Sequence, residues 1–164
     1  MSVNISPWQF RDSNLVAVVA TAIKQSGVTA ETLELEITEG ALLSGEAYIG
    51  DALTALSGMG VSIAMDDFGT GYSSLSYLRK YPFNRLKIDR SFIQDITEDA
   101  ADLKLVNATI AMAHGLDLKV VAEGVETAEQ LDILAAQSCD YARGYFFSKP
   151  VSAEQITEMI DKEG

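Results

Sequence analysis

Apolar positions along the chain switch repeatedly between two periods. Leu15, Val18, Val19, Ala22 and Ile23 recur at helical spacing and stop at Gly27, a residue type suited to the position just past a helix end. "LELEI" (33–37) then alternates with the period of a strand. The exchange continues with a helix over about 46–57 that ends at Gly58 and Gly60, the strand "VSIAM" (61–65) and a short helix near 73–80 closed by Pro82. The strand "RLKID" (85–89), a helix over 102–114 ended by Gly115 and the strand "LKVVAE" (118–123) follow. Thr127 with Gln130 and Ser152 with Gln155 have the spacing of capping boxes, which opens one helix over 128–137 and another at the C-terminal end. Between them "RGYFF" (143–147) reads as a strand.

With "SVNIS" (2–6) at the start, the pattern predicts six strands separated by helices. Strict alternation implies right-handed βα units and a parallel sheet. Polar residues then separate a barrel from a doubly wound sheet. They recur at the C-terminal end of each strand: Asn4, Glu36, Asp66 with Asp67, Lys87, Glu123 and Arg143. In a barrel those ends converge on one face, where active sites lie. In an open sheet the outermost ends stay too far apart to cooperate, so an α/β barrel is expected.

Composition narrows the function. The chain has 164 residues, 48% of them hydrophobic, enough for one domain with a core. No apolar run approaches the ~18 residues of a membrane span, and "MSVNISPWQF" lacks the basic and apolar regions of a secretory signal. A single cysteine, Cys139, forms no internal disulfide and suits a reducing cytoplasm. Net charge −12 and a pI near 4.3 argue against DNA or RNA polymers as partners. An anionic ligand requires divalent metals or a few placed cations to offset that field.

The stretch "AMDDFGTGYSS" (64–74) carries the chemistry. Neighbouring carboxylates repel unless a cation or proton sits between them, and Gly69 and Gly71 let backbone approach a ligand closely. A cation site with a ligand docking beside it is the reading. Plainer ones stand next to it. An isolated Asp-Asp is commonly a solvated turn, Lys87 an ordinary strand-end lysine, Asn4 a cap before Pro7, and Glu39 and Glu126 structural acceptors. His114 is expected to meet the last carbonyls of its helix, Cys139 to be a buried small residue, and Trp8 to belong to the core or an interface.

"SVNIS", "LELEITE" (33–39), "AMDDFGTGYSSLSYLRKYPFNRLKIDRSFI" (64–93), "VVAEGVET" (120–127) and "RGYFFSKP" (143–150) together resemble the EAL family of bacterial cyclic di-GMP phosphodiesterases. The resemblance implies a (β/α)8 TIM-barrel-like fold with one or two Mg²⁺ or Mn²⁺ ions at its mouth. By position, Asn4, Glu36 and Asp66 match metal ligands, and Asp66 would bridge to a second ion held also by Asp67 and Glu123. Asp66 and Arg143 would also face substrate. Lys87 matches the lysine that orients the attacking water, and with Glu123 forms the catalytic pair. Glu39 matches the carboxylate that holds the loop after Asp67, and Glu126 a supporting acid near the second metal. Phe68, Gly69, Thr70 and Gly71 open the loop that links metal binding to dimerisation in the family.

Two departures accompany the resemblance. The sequence has no Glu-Ala-Leu tripeptide, whose glutamate belongs to a strand before "VNIS", and arginine replaces the frequent glutamine at position 143. A typical barrel of this class takes about 250 residues, so residues 1–164 are expected to supply about six of eight βα units and to be impaired alone. The expected activity is metal-dependent hydrolysis of cyclic di-GMP to linear pGpG. The alternative is a non-catalytic receptor or interaction module of the same descent; an unrelated metal-dependent barrel such as an enolase-like protein fits the motif order poorly. Exposed strand edges imply a homodimer or edge-paired oligomer, and the family implies an upstream sensory or GGDEF domain.

Overall fold

Six strands, β1 (Ser2–Asn4), β2 (Glu34–Thr38), β3 (Ser62–Phe68), β4 (Arg85–Ile88), β5 (Lys119–Glu123) and β6 (Tyr141–Arg143), form one sheet in the computed structural model, which describes residues 1–11, 14–42, 47–69 and 75–163. Their order in the sheet is their order in the chain, and every neighbouring pair is parallel. A doubly wound sheet reverses direction at a switch point. This one never does, and it curls into part of a TIM-like barrel. Among the described residues the helices are α1 (Pro7–Arg11), α2 (Leu15–Ser26), α3 (Glu39–Leu42), α4 (Ala47–Gly58), α5 (Leu75–Lys80), α6 (Arg90–Ile93), α7 (Ala100–His114), α8 (Ala128–Ala136) and α9 (Ala153–Glu163).

Local chemistry sets these boundaries. Gly27 ends α2 in the left-handed region at φ 71°, its N–H reaching the Ile23 carbonyl. Asp99 caps α7 by accepting from the Ala101 N–H at 2.6 Å. Both predicted capping boxes form, Thr127 with Gln130 ahead of α8 and Ser152 with Gln155 ahead of α9. Along each strand alternate residues face opposite ways. Leu35, Ile37, Ile63, Met65, Leu86, Ile88, Val120 and Ala122 are buried in the core with Leu53, Leu56, Val106 and Ile110 of the helices. Full burial of each Leu or Ile contributes about 1.5–3 kcal/mol.

The opposite face of the sheet is polar at two levels. At its lower level Glu34 accepts from Ser2 and Ser62 and pairs with Arg85, whose guanidinium lies 5.1 Å from the Tyr141 ring centre. At its upper level lie the candidate site residues. β1 and β6 each have one edge without a ladder partner among the described residues. No helix among those residues is long and apolar enough to cross a membrane.

Several expectations change. The segment 143–147 is not a strand: β6 covers Tyr141–Arg143, and the chain turns at Gly144. Val125 donates its N–H to the Arg143 carbonyl and accepts from the Phe146 N–H, each at 3.0 Å, so the chain folds over residues 124–126 instead of extending the ladder. β3 runs three residues past the predicted end, through Asp66, Asp67 and Phe68. Trp8 is exposed, which removes the core from its two expected places and leaves the interface, and Cys139 is only partly buried. Glu46 and part of the helix predicted from residue 73 lie outside the described residues, as do Thr70 and Gly71.

His114 also departs from expectation. Its Nε2 stands 2.8 Å from Asp140 Oδ2 instead of serving the end of α7. Asp140 accepts further from Lys119 Nζ at 2.7 Å and from the Val120 N–H at 2.9 Å. Burial works to raise the Asp140 carboxyl, but Lys119, Val120 and His114 outweigh it and hold the group down at about 2, below its ordinary 3.8. A depressed carboxylate stabilises the fold above its unfolded value and loses that effect as pH falls through the folded one. Asp140→Ala is therefore expected to destabilise by about 1–2 kcal/mol at neutral pH, chiefly by stranding the Val120 N–H. Thermal melts from pH 7 to pH 2 should show the gap to wild type shrinking below pH 3.8.

Gly144 generates a second expectation. A Cβ there would lie 2.1 Å from the Val125 carbonyl oxygen and 2.3 Å from its nitrogen, both backbone atoms with little freedom to move. Gly144→Ala should cost about 3 kcal/mol or more. Gly58→Ala, at a helical position with nothing within 4 Å, should be neutral or stabilising. Paired denaturant titrations of the two variants check the contrast.

Candidate active site

Sheet register sets the site. Asn4 lies beside Glu36 across β1 and β2, Thr38 beside Asp66 across β2 and β3, and Glu123 beside Arg143 across β5 and β6. Between β3 and β4 the register shifts: Met65 opposes Leu86 and Phe68 opposes Ile88, so Asp66 and Asp67 together face Lys87. This is a β-bulge, which re-aims side chains at a sheet end. Asp67 carries the irregularity at φ 55°, an uncommon conformation for a residue with a side chain that aspartate tolerates better than most. Asp66 already faces the polar side by strand alternation, and the extra residue, Asp67, lets Phe68 return to the helix side beside Ile88.

Lys87 is the centre of the arrangement. Its Nζ lies 2.9 Å from Glu36 Oε2, 2.8 Å from Asp66 Oδ1 and 2.9 Å from Glu123 Oε1, and the residue is only 3% exposed. Burial pushes against the charge on this amine, but Asp66, Glu123 and Glu36 outweigh burial and hold its pKa above the ordinary value. Glu123 shifts upward because burial disfavours its carboxylate more than Lys87 supports it. Asp66 Oδ1 is a buried oxygen whose charge is met by the Lys87 ammonium at 2.8 Å. Three carboxylates around one ammonium leave two negative charges in excess.

Above Lys87 opens a cavity of about 340 Å³. Asn4, Glu36, Asp66, Glu123, Glu126 and Arg143 all line it, so the structure gathers these predicted residues in one place. Arg143 is two-thirds exposed, with Nη1 3.6 Å from Glu123 Oε1 and 3.9 Å from Glu36 Oε1. Asp67 does not line the cavity. Burial first, then the charges of Asp66 and Asp89, raise its carboxyl. Glu39 is buried as the first residue of α3, directly after β2 ends at Thr38. Phe68 and Gly69 line a separate cavity of about 210 Å³ with Ile88, Phe92, Leu105, Val106 and Thr109, on the helix side of the sheet.

Sequence reasoning missed Arg90. Its guanidinium pairs with Glu126 at 3.1 Å on the rim of the mouth. Its stem crosses Gly124 so closely that a Cβ on residue 124 would lie 2.4 Å from Arg90 Cγ. Gly124 has φ 75°, so the "EGVE" loop turns there by means only glycine adopts easily. The signal was present in "VAEGVE" as a glycine directly after a strand-end carboxylate. The partner arginine, more than thirty residues upstream, had no local signature.

A hard divalent cation prefers oxygen donors, and the site offers the Asn4 amide with the carboxylates of Glu36, Asp66 and Glu123. The all-oxygen donor set and the excess negative charge fit such an ion. Among the described residues no three or more His, Cys, Asp or Glu side chains form a ready-made metal cage. The carboxylates close on Lys87 instead, so cation binding requires them to turn partly away from it.

The chain resembles known proteins in both sequence and fold. Residues 1–150 match the family described as EAL domain. The Cyclic di-GMP phosphodiesterase NbdA of Pseudomonas aeruginosa is 45% identical over 98% of this chain, which covers 20% of that protein. A solved structure of the EAL enzyme Bd1971, in a form bound to cAMP and cyclic di-GMP, superposes with TM-score 0.94 at 38% identity, covering 98% of this chain and 42% of that one. Klebsiella pneumoniae BlrP1, solved as a manganese and cyclic di-GMP complex, gives TM-score 0.84 at 28% identity, with 91% and 38% covered. The chain spans about a fifth of the length of the curated relatives it matches. Its sequential parallel strands, its ring of strand-end oxygens and a match over residues 1–150 together show that the chain belongs to the EAL domain family.

Proposed function

We propose that this chain belongs to the catalytic barrel of a phosphodiesterase that hydrolyses cyclic di-GMP to linear pGpG. The observation that carries the reading is the convergence of Glu36, Asp66 and Glu123 on buried Lys87, with Asn4 beside them. Family membership, and relatives named for cyclic di-GMP hydrolysis or solved with that ligand, support it. Charge supports it too. Four carboxylates (Glu36, Asp66, Glu123, Glu126) meet three cations (Lys87, Arg90, Arg143) in the mouth, a net negative surface that repels a dianionic dinucleotide. Mg²⁺ or Mn²⁺, when held by Asn4, Glu36, Asp66 and Glu123, supplies Lewis acidity and offsets that charge.

The protein's own groups divide the remaining work. Lys87 stays protonated at neutral pH, so it donates hydrogen bonds and does not act as a base. It orients the attacking water and stabilises charge on the phosphoryl oxygens. Glu123, whose carboxylate is disfavoured by burial, is the acid of the set best suited to take up the water proton. Water adds to phosphorus, the bond to the ribose 3′ oxygen breaks, that oxygen takes up a proton to become a free hydroxyl, and pGpG leaves with a new 5′ phosphate. Asp67, displaced outward by the bulge, and Glu123 would hold a second ion if one binds. Glu39 supports the loop that begins at Phe68 and Gly69. Arg90 holds Glu126 at the rim.

The wider context is part of the same proposal. The six βα units complete a larger barrel, in a cytoplasmic protein that also carries a sensory or GGDEF domain, and two copies associate. The edges of β1 and β6 support association, because unpaired strand edges recruit other chains. Light scattering should find a dimer or larger species.

Activity is tested by chromatographic measurement of pGpG release with Mg²⁺ or Mn²⁺. Chelation should abolish turnover. Lys87→Ala should lower kcat by about 100-fold or more, in the range seen when a placed electrostatic donor is removed. Tight cyclic di-GMP binding without pGpG release by the full-length protein would place it in the receptor class.

A further inference from the structure

Arg143 contributes a cation that the catalytic reading leaves without a defined partner. Its guanidinium approaches Glu123 at 3.6 Å and Glu36 at 3.9 Å, the same carboxylates that contact Lys87 on their other oxygen or from the other side. Those distances are too long for the paired hydrogen bonds of an arginine–carboxylate fork, and the side chain is 67% exposed. The two roles differ in kind: Lys87 is buried and anchored by three contacts, whereas Arg143 is held at the mouth by charge and is able to swing away. β6 ends at Arg143 and turns at Gly144, so the side chain stands on the last residue of an edge strand, directly over the cavity.

We propose that Arg143 is a displaceable counter-ion for the carboxylate cluster. Arg143 and a divalent cation compete for Glu36 and Glu123, so the arginine lowers metal affinity until an anionic phosphate draws it away. Metal and phosphate ligand then favour each other's binding, since each removes a competitor of the other. Such coupling is reciprocal by necessity. The consequence is regulatory: the site holds its metal weakly when no dinucleotide is present. The proposal rests on the reading of this mouth as a divalent-cation site.

Calorimetric titration of Mn²⁺ into the full-length protein, without dinucleotide, tests it directly. Arg143→Gln removes the charge and should tighten Mn²⁺ binding about two- to fivefold, the range expected for an exposed ion pair. Arg143→Lys keeps the charge and should leave the affinity within about twofold of wild type. Because residue 143 is exposed, thermal melts should be unchanged in both variants. Equal or weaker Mn²⁺ binding by Arg143→Gln, or tightening in Arg143→Lys as well, would overturn the proposal while leaving the metal site intact. Absence of Mn²⁺ binding in all three proteins would overturn the metal reading itself, and this inference with it.

Discussion

One buried ammonium holds the ends of four strands in register with one another. Lys87 on β4 draws Glu36 from β2, Asp66 from β3 and Glu123 from β5 to within 2.9 Å of a single atom. A lysine this deep is disfavoured unless counter-charges and hydrogen bonding compensate it. Each of the three carboxylates is disfavoured in the same way without the lysine. The four groups therefore depend on one another, and the distances between strand ends follow from that dependence. Everything above them in the mouth, including Asn4, Arg143 and Glu126, is placed relative to this cluster.

The loops around the cluster are positioned by close backbone approach more than by side-chain packing. Gly124 lets the Arg90 stem lie against the chain just past Glu123, and Gly144 lets the chain after β6 rest on Val125. The segment 124–126 is thus held from both sides, by Arg90 and by the turn at Gly144. That restraint keeps Glu123 and Glu126 facing the same cavity although neither loop contains regular structure. The bulge at Asp66 and Asp67 acts similarly on the opposite side, converting two adjacent carboxylates into one facing inward and one displaced.

Much of this was legible in the sequence. Hydrophobic periodicity located every strand but one within a few residues, because strands buried by helices on one side must present apolar residues at fixed alternation. Asn4, Glu36, Asp66, Lys87 and Glu123 were legible as polar residues ending apolar runs, and the barrel followed from their need for a common face. The features that escaped depend on tertiary contacts. "RGYFF" has strand-like residues, yet its backbone bonds to Val125 rather than to a neighbouring ladder. His114 turned to Asp140, twenty-six residues away. The Arg90–Glu126 pair links positions whose proximity only the closed loop creates. The bulge hides because two residues opposing one leaves no trace in a single strand's pattern.

The lower level of the sheet's inner face has a consequence of its own. Ser2, Glu34, Ser62 and Arg85 form a bonded polar layer beneath the Lys87 cluster, where many barrels of this class pack branched aliphatic residues. Water can replace most of those bonds at modest loss, since glutamate, serine and arginine are well hydrated. A fold lined in this way tolerates partial opening between neighbouring units better than one lined with isoleucine and valine, which would expose oil to solvent and stick to other chains. The same lining keeps the inner wall wettable, so the backbone edges of β1 and β6 are the sheet's surfaces that other chains can join. The inner wall thus tolerates water, while the outer, apolar wall carries the cohesion.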